Sequence, residues 1–187
     1  MKRLPSVFVA HALPAPAQQR GAEGKAWAAL GSSLPEAAAI LIASAQWESS
    51  VPMLAGDRPR FAPGALELAQ RARTLLGKAG FVAGINGLRD LDRDACEPLL
   101  RAYPKPGVPV VQLSMQPLLG PAHHVAVGEA LRDLPGDGVL VVGSGDLTAE
   151  HFHPFFVALG AAAEGARPER IAASEPGVPM LDAYLFH

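Results

Sequence analysis

Short apolar runs alternate with longer helical patterns along almost the whole chain, and this alternation leaves few folds open. Val7 to Ala10, Ala38 to Ala45, Phe81 to Ile85, Val108 to Leu113 and Gly138 to Gly143 are too short for buried helices and read as strands. Leu181 to Phe186 reads as a terminal strand. Between them lie helical stretches at Gly24 to Leu30, Pro63 to Ala79, Cys96 to Ala102, Pro121 to Leu134 and Thr148 to Gly165. The clearest is Pro63 to Ala79, where Leu66, Leu68, Ala69, Leu75 and Leu76 are spaced among charges. Pro63 suits its first turn and Gly80 stops it. Strand-helix-strand repetition requires right-handed crossovers and puts helices on both faces of a sheet. The predicted fold is therefore a three-layer α/β/α sandwich around a mostly parallel or mixed central sheet. No linker, repeat or low-complexity tract interrupts the 187 residues, so residues 1–187 read as a single domain.

Composition removes several functional classes. The net charge is -2 and no Lys/Arg cluster is present, so the chain lacks the electrostatic footprint of a nucleic-acid or anionic-membrane binder. Cys96 is the single cysteine, which excludes an intramolecular disulfide framework and a cysteine-based zinc site and fits a reducing compartment. The apolar runs fall well short of the roughly 20 residues that span a bilayer. The opening MKRLPSVFVAHALP places a basic pair before an apolar run, but Pro and His interrupt that run early; it reads as a first strand rather than a targeting segment. The expectation is a cytoplasmic protein.

Three strands deliver polar side chains at their exits. VFVAHALP ends on His11, AAAILIASAQWES on Gln46, Trp47 and Glu48, and GVLVVGSGDLTAEH leads to His151. In open α/β sheets ligands sit outside the carboxyl ends of the strands, so these groups are candidates for one shared site. Each has a plainer reading. His11 alone is as readily a strand-end residue bonded to neighbouring backbone, and Trp47 is more commonly a core aromatic. Thr148 and Glu150 suit a first helical turn at His151, while His153 points to another face, solvated or packed. Of the adjacent His123 and His124, only one can face a given pocket, because helix neighbours diverge by about 100°. His11, His124 and His151 remain as candidates for metal ligation or proton transfer. GSGD at 143–146 fits neither dinucleotide nor P-loop patterns, and Asp146 is a carboxylate ligand or, more often, a helix cap. The cluster of Asp90, Asp92, Arg93, Asp94 and Glu97 reads first as a solvated face.

Taken together, these segments resemble the class III extradiol ring-cleavage dioxygenases of the protocatechuate 4,5-dioxygenase β-subunit type, and more closely the small single-domain proteins similar to DOPA-4,5-dioxygenase. The resemblance runs nearly end to end. VFVAHALP is similar to the family's strand ending in Ser-His-Gly, and AAAILIASAQWES to its Ser-Ala-His-Trp-Glu strand. EPLLRAYPKPGVPVVQLSMQP, His124 to Gly128 with Ala130 and Leu131, TAEHFHPFFVALGAA and MLDAYLF match later segments. The resemblance implies a divalent metal, Fe(II) or Zn(II), held at His11, Gln46 and His151, with His124 moving protons on a small aromatic, catechol-type substrate. It leaves room for a homo-oligomer.

Departures from the family pattern set up a second expectation. Gln46 stands where the family has an imidazole, and Leu91, Asp92, Arg93 and Asp94 stand where it has Leu-Asp-His-Gly. The histidine that follows the family's Gly-Ser-Gly loop is absent, with several tens of residues. A shortened, degenerate member, its metal held weakly or lost, would serve as a binding or partner subunit.

Overall fold

A computed structural model describes residues 3–11, 29–56, 64–92, 107–147, 151–172 and 181–187. The strands are β1 (Ser6–His11), β2 (Ala39–Glu48), β3 (Met53–Gly56), β4 (Gly84–Ile85), β5 (Val110–Met115), β6 (Val139–Gly145), β7 (Pro168–Ala172) and β8 (Leu181–Phe186). The helices are α1 (Ala65–Lys78), α2 (Gly120–Ala130) and α3 (His153–Ala161), and residues 29–33 are also helical. All eight strands join one sheet in the order β4-β3-β5-β2-β6-β1-β8-β7. The four inner strands β5, β2, β6 and β1 run parallel. β3 pairs antiparallel to β5, and β8 antiparallel to both β1 and β7, so the sheet is mixed. The expected mixed sheet flanked by helices is the observed one.

Strand alternation sorts the core into two faces. Leu41, Ala43, Val111, Leu113, Val139 and Val141 face α1, α2 and α3. Their neighbours Ile40, Ile42, Val110, Leu140 and Val142, with Val7 and Val9, face the other way, where Leu30 of the 29–33 helix covers them. Both faces are covered, which explains why the inner strands are nearly continuous apolar runs. Around β1 and β8, Phe8 and Phe186 pack with Phe152 and Phe155 of the α3 region.

Several boundaries differ from expectation. The stretch from Phe81 pairs only at Gly84–Ile85, the short β4. β3 and β7 were not anticipated; they lie toward the two margins of the sheet, where partial burial weakens the apolar signal. α3 starts at His153, with proline in its first turn, and not at Thr148. The expected helix at Cys96 to Ala102 lies outside the described residues, as does most of Gly24 to Leu30. Among the described residues, no helix is long and apolar enough to cross a membrane.

Glycine is required where backbones touch. A Cβ on Gly128 of α2 would meet the Val157 carbonyl oxygen at 2.2 Å, and one on Gly160 of α3 would meet that of Val125 at 2.1 Å. The two helices therefore cross backbone to backbone. On β6, a Cβ at Gly143 would meet the Pro154 oxygen and one at Gly145 the His151 oxygen, each at 2.2 Å. These glycines seat the entry to α3 directly on the sheet.

Candidate active site

The parallel strands β1, β6 and β2 are neighbours, and their carboxyl ends bring three of the expected positions to one rim. Ala10 pairs with Gly145, and Ser44 with Ser144. His11 follows Ala10 at the end of β1, where its backbone pairs with Leu181 of β8; its side chain lies outside the described residues. Asp146 follows Gly145 as β6 ends. Gln46 sits two residues beyond Ser44, exposed at the end of β2, with its backbone N–H donating to Ser44 Oγ at 3.3 Å.

His151 is held by Asp146. Its Nδ1 lies 2.9 Å from Asp146 Oδ2, and because a carboxylate only accepts, Nδ1 is the donor. That fixes the tautomer of the neutral ring and leaves the Nε2 lone pair for another partner. A carboxylate behind one nitrogen is the usual support of a metal-binding imidazole. The side chain is partly open to solvent. Thr148 and Glu150, expected to cap this turn, lie outside the described residues. Among the described residues, no group of three His, Cys, Asp or Glu side chains stands close enough to hold an ion. His151 and Asp146 offer two donors at this rim, and the ends of β1 and β2 bring the positions of His11 and Gln46 to the same edge of the sheet.

His124 is placed differently from His151. It is fully buried in α2. Nε2 accepts from the backbone N–H of Gln116 at 3.1 Å, and Nδ1 donates to the Gly120 carbonyl at 2.7 Å. Burial pushes its pKa down to about 4, against the raising effect of the Gly120 bond; His153 and His123 lower it further. The ring is neutral at pH 7 and both nitrogens are engaged by backbone. His123, less buried, has Nε2 at 3.1 Å from Gln116 Oε1 and a pKa lowered by burial. The His153 ring lies against that of His124, 4.6 Å between centroids.

Sequence reasoning missed a polar file along β5 and its exit. Gln112, Ser114 and Gln116 are all buried. Ser114 Oγ lies 2.5 Å from Ser49 Oγ and accepts from the Met53 N–H at 2.9 Å, tying β5 to the exit of β2. Gln112 binds Asp92, which in turn binds Arg89, and Arg89 lies over Trp47. Asp92 is therefore no simple solvated charge. Arg93, Asp94 and Glu97 lie outside the described residues.

Comparison with known proteins finds relatives named as dioxygenases. It is 30% identical over an alignment of 220 positions to a Beta vulgaris protein named 4,5-DOPA dioxygenase extradiol, covering 79% of this chain and 82% of that protein. A Portulaca grandiflora protein of the same name is 39% identical over 125 residues, 57% of this chain and 46% of that protein. An Escherichia coli protein, again of that name, is 27% identical over 163 residues, 78% of this chain and 60% of its own length. No family model matches the chain. The crystal structure of an uncharacterized Escherichia coli K12 protein superposes with a TM-score of 0.81 at 21% identity, covering 97% of this chain and 99% of that one, a likeness of fold.

Proposed function

The chain belongs to the class III extradiol dioxygenase family, and from that premise we propose that it opens the ring of a DOPA-like catechol with dioxygen, using a divalent metal. His11 and His151 are the imidazole ligands, and Gln46 contributes its amide oxygen to the same ion. The observation that carries this reading is the His151–Asp146 bond, which orients a free imidazole nitrogen at the rim where β1, β6 and β2 end. When bound, Fe(II) supplies the redox chemistry that dioxygen requires. Asp146 holds the His151 tautomer. His124, read from sequence as the proton carrier, would have to break a backbone bond to exchange a proton, so we assign it to positioning the Gln116 turn. We also read the chain as a shortened member, since the Beta vulgaris alignment extends over more positions than the chain has residues.

Anaerobic loading with Fe(II), elemental analysis and oxygen uptake with a catechol panel test the proposal. About one iron per chain and uptake with L-DOPA are expected, both lost in His151→Ala. No bound iron and no uptake with any catechol would sink it. Zinc on the same donors would bind without uptake.

A second reading, a non-catalytic member acting as a binding or partner subunit, is favoured by Gln46 in place of an imidazole. An amide oxygen is a neutral, weaker ligand for metals that prefer nitrogen. If wild type neither binds iron nor turns over and Gln46→His restores both, the pocket is intact and lacks only a ligand. If Gln46→His also fails, the partner role stands.

A further inference from the structure

The chain contains a single asparagine, Asn86, and a glycine follows it in the turn that leaves β4. The Asn86 backbone N–H donates to the Leu54 carbonyl at 2.8 Å, so the sheet holds this end of the turn. Its side chain folds forward. Oδ1 accepts from the backbone N–H of Leu88 at 3.0 Å and from that of Arg89 at 3.1 Å. The bond to Leu88 closes a ring of the size found in a β-turn, with the carboxamide standing in for a peptide group. Within that ring Cγ of Asn86 lies back across the peptide that joins Asn86 to Gly87. An asparagine bonded to backbone N–H groups is by itself an ordinary turn cap. Here the next residue is an exposed glycine, where a Cβ would meet nothing within 4 Å, and Leu88 beyond it is 83% exposed. Solvent therefore reaches the junction, and no side chain shields the Gly87 nitrogen.

We propose that Asn86 is a modification site at which the folded chain deamidates itself, giving aspartate and isoaspartate at position 86. The Gly87 amide gives its proton to hydroxide or water, and its nitrogen forms a bond to Cγ of Asn86. The carbonyl electron pair moves onto Oδ1. There the Leu88 and Arg89 N–H groups already point, as donors do in an oxyanion hole. The carbonyl then re-forms, the Cγ–Nδ2 bond breaks, and ammonia leaves with a proton from water. Water opens the resulting cyclic imide. Cleavage of the nitrogen–Cγ bond gives aspartate, and cleavage at the Asn86 main-chain carbonyl carbon gives isoaspartate. In sum, water enters and ammonia departs, with no oxidant or reductant. The fold contributes the tether, which holds the amide against the nitrogen in a geometry that a free chain rarely visits. Isoaspartate adds one carbon to the main chain between the end of the turn bound to Leu54 and Arg89, which lies against Trp47. One of those two attachments must then give way.

Ageing of the purified full chain in 18O-labelled water tests it, with one sample folded and one unfolded in urea at the same mildly alkaline pH. Peptide mass spectrometry should find the mass gain of deamidation, with one 18O, on the peptide that holds residue 86. The folded protein should convert at least about fivefold faster than the unfolded chain, because only the fold supplies the tether and the two donors. Gly87→Ala adds a methyl group beside the attacking nitrogen in open space, so it should melt as wild type does yet convert at least about fivefold more slowly when folded. An equal or slower rate in the folded protein, no mass gain at residue 86, or an unchanged rate in Gly87→Ala overturns the proposal. The catalytic reading uses neither Asn86 nor Gly87, so it stands or falls apart from this result.

Discussion

At Gly145, strand β6 and the backbone of His151 approach more closely than any side chain permits, and this makes Gly145→Ala an informative change. The added Cβ would sit 2.2 Å from the His151 carbonyl oxygen. Ordinary van der Waals contact begins near 3.5 Å, so the His151 backbone must retreat by about 1 Å. β6 cannot give way instead, because β1 and β2 flank it. A retreat of that size stretches the 2.9 Å bond from His151 Nδ1 to Asp146 past hydrogen-bonding range. Overpacking of this kind costs about 1–3 kcal/mol, and at roughly 2–4 °C per kcal/mol for a chain of this size the melting temperature should fall by about 2–12 °C. With His151 as the proposed metal ligand, misplacing it by about 1 Å should cost on the order of 100-fold in rate. Gly77→Ala is the control. Nothing lies within 4 Å of its Cβ and it is exposed within α1, so stability should rise by about 0.5–1 kcal/mol. Thermal melting and oxygen uptake on the two variants decide the matter. A Gly145→Ala protein with the melting temperature, iron content and rate of wild type would refute the claim that this contact seats His151.

Other expectations follow from the same structure. His124 has its pKa lowered from 6.5 to about 4, so the unfolded chain binds the extra proton first as pH falls. Its contribution is complete above pH 6.5 and is lost between 6.5 and about 4, an effect of about 3 kcal/mol. Urea midpoints across that range should fall for wild type and more gently for His124→Asn; parallel curves would contradict the assignment. Gly128→Ala should force α2 and α3 apart and cost about 1–3 kcal/mol by urea unfolding, and an unchanged midpoint would contradict the backbone contact. Gln46→His should tighten Fe(II) binding by at least about tenfold in a chelator competition; unchanged affinity would place residue 46 away from the metal.

How much of this could be read from the chain follows burial. The inner strands carry runs such as ILIA and VLVV because both faces are covered, and they are legible at once. β3 and β7 carry no such run; MLAG and PERIA are short and lie toward the sheet margins. The start of α3 is set by Pro154, a local rule that the Thr148 capping signal obscured. His151 stood out because it follows a strand. Its bond to Asp146 was not legible, because a carboxylate after a strand reads equally as a ligand or a helix cap and the sequence does not show that the turn folds it back onto His151. The burial of His124 was not visible, because adjacent histidines give no sign of which one faces inward. Arg89 could not be found locally. Its partners Trp47 and Gln112 are distant in sequence, and only the assembled sheet brings β2 and β5 side by side.

The central claim is that this scaffold still performs extradiol chemistry. Mass spectrometry of the product formed from L-DOPA by Fe(II)-loaded protein under 18O-labelled dioxygen tests it most directly. The account predicts a ring-opened product bearing both labelled oxygens, cut outside the hydroxyl pair so that one new end is an aldehyde, and absent with His151→Ala. Unchanged L-DOPA in the presence of bound iron, or a product carrying a single label, would contradict it.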